Sequence, residues 1–108
     1  MDWMQRIQKC FEGGSVFYSR HARFEMEYEE FSRIFEHEVY EAICNGEVIE
    51  EYSEDKPYPS VLIYGKTAAH RPLHIVCAYD ETEKLTIVIT VYHPNPELWI
   101  DYKRRRKS

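Results

Sequence analysis

Three polar side chains near the C-terminal end of the sequence could carry proton chemistry if one sheet face holds them together. They are His74, Thr90 and Tyr92, which place an imidazole, a hydroxyl and a phenol within two β-rich runs. Imidazole suits both the acid and the base role because it exchanges protons near neutral pH. Whether the three groups meet depends on how the two runs pair.

The two β-rich runs predict a hairpin. They lie within residues 71–93, on either side of a polar, acidic break at residues 80–84. A loop of three or five residues sorts the apolar and polar side chains onto separate faces, whereas an even loop mixes them. The sorted register predicts that His74 and Thr90 are cross-strand neighbours, with Tyr92 one step along the same face.

Length and composition predict a single folded domain, residues 1–108, with enough apolar surface for one core. Charged residues occur from Asp2 onward, so nothing resembles a signal peptide. The longest apolar run, residues 85–92, is too short to cross a bilayer. The three cysteines are widely spaced with no C-x-x-C pair, which favours reduced thiols over a structural zinc site. We therefore expect a cytoplasmic location.

Charge is unevenly distributed along the chain. The net charge is −5, but residues 1–55 carry 14 acidic and 5 basic side chains, whereas residues 56–108 carry 5 acidic and 9 basic. Five of these cations lie in the basic tail, residues 103–108. The asymmetry predicts a protein that binds a polyanion on one side only. A solvated helical face with a frayed tail is the alternative.

Hydrophobic periodicity predicts helices first and strands second. Helices are expected at residues 2–12, 20–30 and 36–44, and strands at residues 47–52 and 60–65 and in the hairpin. Ser19 is the expected N-cap of the second helix, and Asn95 that of a short C-terminal helix. This order predicts an α+β domain, with N-terminal helices packed on an antiparallel sheet of about four strands.

Five segments of the sequence resemble the DUF4258 family. They are HARFEMEYEEF (21–31), GEVIEEY (46–52), DKPYPSVLIYG (55–65), RPLHIVCAYD (71–80) and ITVYHPNPELW (89–99). The chain is most similar to the branch that is paired with small YgiT-type zinc-finger antitoxins, within a wider RelE, barnase and colicin-like group. The resemblance implies a RelE-like domain with a curved sheet, and a cytoplasmic toxin that cleaves RNA without a metal and is neutralised by its antitoxin.

The polar positions that match the family motifs are the candidate catalytic residues: His21, Arg71, His74, Thr90 and Tyr92. Metal-free RNA cleavage needs a base for the 2′-hydroxyl, a cation for the phosphate and an acid for the leaving 5′-oxygen. His21 and His74 suit the proton roles and Arg71 the phosphate. Thr90 and Tyr92 would orient groups or carry a proton. The two histidines converge only if the helix bearing His21 crosses the polar face of the hairpin.

The candidate RNA-binding residues are Arg23, His93, Lys103, Arg104 and Arg105. His93 stands where the resemblance implies an acidic residue, which adds a cation near the proposed site. No cofactor or metal is expected, because His37 and Glu41 have ligand spacing but two ligands do not make a site.

Each catalytic candidate also has a structural interpretation. His21 could bond to Glu25, His74 could be satisfied by Thr90, and Arg71 could pair with an acidic residue of the helical half. The acidic body argues against tight RNA binding, since phosphate contacts dominate affinity for nucleic acids. A non-catalytic protein-binding module, or a degenerate toxin that acts through partner binding, therefore stays an alternative, and a homodimer stays open.

Overall fold

A computed structural model of the chain describes residues 2–107. Met1 and Ser108, the ends of the predicted domain and tail, lie outside the described residues. The helices are α1 (Trp3–Gly13), α2 (Arg20–Glu27) and α3 (Glu36–Cys44). The strands are β1 (Val16–Tyr18), β2 (Glu47–Tyr52), β3 (Ser60–Lys66), β4 (Pro72–Asp80), β5 (Leu85–Tyr92), β6 (Trp99–Ile100) and β7 (Arg104–Arg105). The chain is α+β, as predicted.

A five-stranded sheet in the order β1-β5-β4-β3-β2 forms the centre of the molecule, and β6 and β7 form a separate hairpin. Buried side chains from all three helices share one core with those of β3, β4 and β5. The helix and the sheet approach closely at Gly65, where an added Cβ would clash with the carbonyl oxygen of Ala42. Glycine therefore allows α3 to pack directly on β3. Within the described part of the chain, no helix is long and apolar enough to cross a membrane.

Ser19 determines where α2 begins and where it meets the sheet. Its Oγ accepts a hydrogen bond from the backbone N–H of Ala22 at 3.0 Å and donates to the carbonyl of Ile89 at 3.1 Å. Its backbone N–H donates to the carbonyl of Val88 at 2.9 Å. The predicted N-cap is confirmed, and the same residue ties the helix to β5.

The sheet has five strands rather than about four. Residues 16–18, expected as an extended link, form β1 and pair with β5 in parallel. The sheet is therefore mixed and not wholly antiparallel. A strand of three residues is too short to show alternation, and it forms here because β5 offers it a free edge.

The predicted C-terminal helix is also wrong. The N–H groups of Leu98 and Trp99 bond to the carbonyl of Asn95 at 2.9 and 3.1 Å, which makes a single turn. The chain then reverses at Asp101 and Tyr102, whose φ angles are 52° and 62°, and forms the β6–β7 hairpin. Pairing of the two strands and packing against the sheet override the local helix signal.

The β4–β5 hairpin has a different register from the predicted one. Its loop has four residues, 81–84, an even number that places apolar and polar side chains opposite each other near the loop. A β-bulge on β5 shifts the register by one residue, so that farther from the loop apolar residues again lie on one face and polar residues on the other. His74 therefore lies opposite Tyr92, and Thr90 lies opposite Val76. The predicted pairing of His74 with Thr90 is wrong.

Candidate functional site

His74 is sealed on the sheet face that the β6–β7 hairpin covers. Its side chain is fully buried, with the Trp99 ring edge-on at 4.5 Å. The ring nitrogen Nε2 lies 2.6 Å from the carbonyl oxygen of Tyr102, so it must donate, while Nδ1 accepts from the Tyr92 hydroxyl at 3.0 Å. Burial lowers the pKa of His74, which keeps the ring neutral at pH 7. Both ring nitrogens are satisfied within the protein.

Two of the predicted RNA-binding cations hold the β6–β7 hairpin on β2. Arg105 bonds to the Glu50 carboxylate through Nε at 2.9 Å and Nη2 at 3.2 Å. Lys103 forms an ion pair with Glu47 at 2.7 Å. These contacts neutralise part of the basic tail, while Arg104 is exposed. Their role in RNA binding stays a prediction.

Arg71 binds residues 28–35, the connector between α2 and α3. Its Nη1 donates to the carbonyl of Arg33 at 3.0 Å and lies 3.4 Å from the Glu38 carboxylate, and its Nη2 donates to the carbonyl of Ser32. Its Nε donates to Nδ1 of His93 at 3.4 Å. The structural interpretation of Arg71, pairing with an acidic residue of the helical half, is therefore present in the fold.

β1 pairs with β5 only as far as Val88, and beyond that point side chains of α2 and of the residues after it bond to the backbone of β5 and of His93. Glu25 accepts from the backbone N–H of Val91 at 3.1 Å, and Glu29 accepts from that of His93 at 3.3 Å. The exposed His21 lies 3.4 Å from Glu25. His21 and His74 were expected to converge only if α2 crossed the polar face of the β4–β5 hairpin, and the β6–β7 hairpin covers that face at His74 instead.

A groove of about 420 Å³ lies between α2, the end of β5 and the C-terminal turn. We call it the β5 groove, and its lining includes Phe24, Glu25, Tyr28, Phe31, Tyr92 and His93. Three candidates contact this lining directly: His21 through Glu25, Arg71 through His93, and His74 through Tyr92. The β5 groove is therefore the place to which most of the predicted catalytic residues connect.

Titratable groups in the β5 groove have pKa values displaced in opposite directions. Burial raises the pKa of the Glu25 carboxyl. Burial and the positive charge of Arg71 lower the pKa of His93. Burial raises the pKa of Tyr92 to about 12, so its hydroxyl stays protonated at neutral pH. A carboxyl whose pKa burial moves up towards neutrality is typical of a general base, so Glu25 is a candidate for that role.

Arg71 also fixes the tautomer of His93. Because the arginine donates to Nδ1, the neutral imidazole carries its proton on Nε2 and can donate from there. Phe31 stacks on the ring at 4.4 Å, which holds its orientation. Glu25 uses Oε1 for its contacts with Val91 and His21, and Oε2 makes no hydrogen bond with the described residues. In the groove, His93 therefore offers a donor at Nε2 and Glu25 an acceptor at Oε2.

Exposed aromatic rings flank these two groups. Phe24, Tyr28 and Phe31 are 62%, 66% and 54% exposed. Large apolar side chains of this kind are costly to leave in water, so clusters of them mark binding surfaces. Flat rings beside the Glu25 carboxyl and the His93 imidazole suit a substrate with a planar group.

Sequence reasoning missed Glu25 as a reacting group and did not single out the three rings. The available signal was the helical strip of His21, Glu25 and Tyr28, spaced i, i+4 and i+7.

The two remaining candidates, Thr90 and Arg23, lie in different surroundings. Thr90 is half-buried opposite Val76, and Arg23 pairs with Glu36 at 3.3 Å.

Comparison with known families matches residues 18–93 to DUF4258, described as a domain of unknown function. The match covers more than half of the chain, so the protein belongs to the DUF4258 family. No curated protein and no solved structure matches the chain. The matched residues include α2, α3 and the β4–β5 hairpin, and they end before the β6–β7 hairpin.

Proposed function

We propose that the protein is a metal-independent endoribonuclease that cleaves RNA in the β5 groove. The observation that carries the proposal is the placement in one groove of Glu25, whose Oε2 makes no hydrogen bond with the described residues, and of His93, which Arg71 orients. The exposed rings beside them are suited to stacking of RNA bases. The resemblance to RelE-like toxins supports the same activity, with a small zinc-finger antitoxin as partner and the cytoplasm as the location.

In the proposed reaction, Oε2 of Glu25 takes the proton of a ribose 2′-hydroxyl. The 2′-oxygen attacks the adjacent phosphorus, the bond to the 5′-oxygen breaks, and the products are a 2′,3′-cyclic phosphate and a 5′-hydroxyl. His93 donates from Nε2 to a phosphate oxygen, and Arg71 adds positive charge behind it. His21, whose Nε2 lies 3.4 Å from Glu25 Oε1, acts as the acid and gives its proton to the leaving oxygen.

The charge of the groove determines how RNA would be held. Glu29 and Glu30 line it together with Glu25, so attraction for phosphate is weak. Stacking on Phe24 and Phe31 must then supply much of the affinity, at about 1–3 kcal/mol for each base. We expect RNA binding to weaken only slightly as the salt concentration rises, in contrast to a protein with a basic groove.

The test is incubation of the full-length protein with a labelled single-stranded RNA in the presence of EDTA. The expected result is cleavage that leaves a 2′,3′-cyclic phosphate. Glu25→Gln should lower the rate about 10²–10⁴-fold, because amide nitrogen and oxygen cannot replace the carboxylate as a base. Glu27→Gln is the matched control, because it makes the same change on the exposed side of α2.

Two results would overturn the proposal. Cleavage that EDTA abolishes would contradict the metal-independent reaction. Intact RNA with the wild-type protein would contradict catalysis and favour the alternative of a protein-binding module.

A further inference from the structure

The two edges of the five-stranded sheet are protected differently. At one edge, β2 carries Glu47, Glu50 and Glu51 and contains a β-bulge, features that discourage pairing with another strand. At the other edge, β1 has the sequence Val-Phe-Tyr, with no charged residue and no proline. Only the first edge has the usual protection.

The backbone of β1 presents hydrogen-bonding groups on its outer side. Thr86 N–H donates to the carbonyl of Ser15, and Ser19 N–H donates to the carbonyl of Val88, so the odd-numbered residues of this segment face β5. Alternation along a strand then turns the N–H and C=O groups of residues 16 and 18 away from β5. An added strand could bond to these groups.

A second groove, of about 470 Å³, lies beside this edge between α1 and α3. We call it the β1 groove. Phe11 and Tyr40 form apolar walls, with their rings edge-to-face at 6.1 Å. Glu36 and Glu41 supply carboxylates beside His37, and its described lining includes neither lysine nor arginine. Arg23 pairs with Glu36, so Glu41, whose Oε1 accepts from the backbone N–H of Ala68, is the carboxylate without an ion-pair partner among the described residues.

We propose that β1 and the β1 groove bind an extended, cationic segment of a partner protein by strand addition. The segment pairs with the outward backbone groups of Val16 and Tyr18. One of its apolar side chains packs against the rings of Phe11 and Tyr40 in the groove, and a lysine or arginine pairs with Glu41. This surface is separate from the β5 groove, so the proposal does not depend on RNA cleavage.

The charge distribution favours this occupant over two others. A second copy of the chain would bring its own β1, which has no cation to meet the carboxylates. A nucleic acid would bring phosphates towards Glu36 and Glu41, where the repulsion is unfavourable. In a basic segment with alternating apolar residues, the backbone pairs with β1, the apolar side chains contact the two rings and the cations meet the carboxylates.

The test begins with selection of random displayed peptides on the immobilised full-length protein, and fluorescence anisotropy then measures the affinity of a selected peptide. We expect selected peptides to combine lysine or arginine with apolar residues at alternate positions. N-methylation at every second residue of the peptide should weaken binding about tenfold or more, and the intervening positions should tolerate it, because only alternate amides face β1. Absence of selected peptides, an acidic consensus, or insensitivity to N-methylation would overturn the proposal.

Variants of the protein locate the binding surface. Tyr40→Ser should weaken the selected peptide about tenfold, because it removes one wall of the β1 groove. Tyr28→Ser is the matched control, because it removes an exposed tyrosine from the β5 groove. Equal affinity for both variants, or displacement of the peptide by a second copy of the chain or by RNA, would contradict the assignment.

Discussion

His74 and His93 lie close together on the β4–β5 hairpin, since His74 pairs with Tyr92, but their surroundings differ. His74 is fully buried under the β6–β7 hairpin, with both ring nitrogens bonded to Tyr92 and Tyr102. His93 is partly exposed in the β5 groove, where only Nδ1 has a described partner. A histidine with both nitrogens satisfied inside the protein stabilises the fold, whereas one with a free donor can meet a substrate.

Alternation along β5 explains the difference. Tyr92 points to the sheet face that the β6–β7 hairpin covers, and His93, the next residue, points towards Arg71 and Phe31. The β6–β7 hairpin therefore covers His74, whereas Arg71 and Phe31 contact His93. The comparison therefore separates a buried cluster around His74 from the open β5 groove that Glu25 and His93 line.

The largest effect on stability should come from His74→Ala. The substitution removes a fully buried ring and leaves the carbonyl of Tyr102 without its donor, which together should lower the free energy of unfolding by about 2–5 kcal/mol. His93→Ala, in the open groove, should cost less than about 1 kcal/mol. Urea denaturation followed by circular dichroism measures both values, and equal losses would remove the distinction between the two regions.

Arg71→Gln should have an intermediate effect on stability and a specific effect on His93. Loss of the bonds to the connector should cost about 1–3 kcal/mol. Because the guanidinium lowers the pKa of His93, its removal should raise that pKa. Titration of the imidazole resonances by NMR detects the change, and a His93 pKa that stays the same or falls would contradict the account.

Acidification should reveal the buried imidazole. A pKa that is lower in the folded state means that His74 contributes stability above its unfolded pKa of about 6.5, and that this contribution is lost as the pH falls towards the folded value. Unfolding at several pH values should show a smaller loss for His74→Gln than for the wild type. The same acid dependence in both proteins would show that His74 is not the source.

The smallest effect should come from Arg105→Ala. This residue joins the β6–β7 hairpin to Glu50, but its side chain is largely exposed, so the pair should be worth about 0.5–1 kcal/mol or less. Thermal unfolding at low and high salt provides the measurement. A loss as large as that of His74→Ala would mean that ion pairs, and not burial, hold the hairpin.

Local sequence signals predicted the α+β class, the three helices and the β4–β5 hairpin, because each depends on periodicity or on a nearby cap such as Ser19. The loop length was not predictable in this way. Asp80 accepts from the N–H groups of Thr82 and Glu83, and Lys84 adopts a φ of 52°, so side-chain bonding sets a four-residue loop. Because this loop has an even number of residues, the β-bulge on β5 is needed to bring the apolar side chains of both strands onto one face.

The candidate site was predicted in part for a similar reason. His21, Arg71, Tyr92 and His93 carry side chains that suggest chemistry by their type alone. Glu25 is one of several glutamates on an acidic stretch, and it stands apart because the fold partly buries it against β5, where it accepts from the N–H of Val91. Contacts between distant segments, including the hairpin over His74, cannot be read from local patterns.

The most direct test of the central claim compares RNA cleavage by His93→Leu and His74→Gln, measured under conditions where circular dichroism shows both variants folded. Because His93→Leu removes the proposed donor to the phosphate in the β5 groove, it should lower the rate about 10²-fold or more. His74→Gln, which keeps a donor for Tyr102, should stay within about threefold of the wild type. A large loss with His74→Gln and a normal rate with His93→Leu would contradict the account.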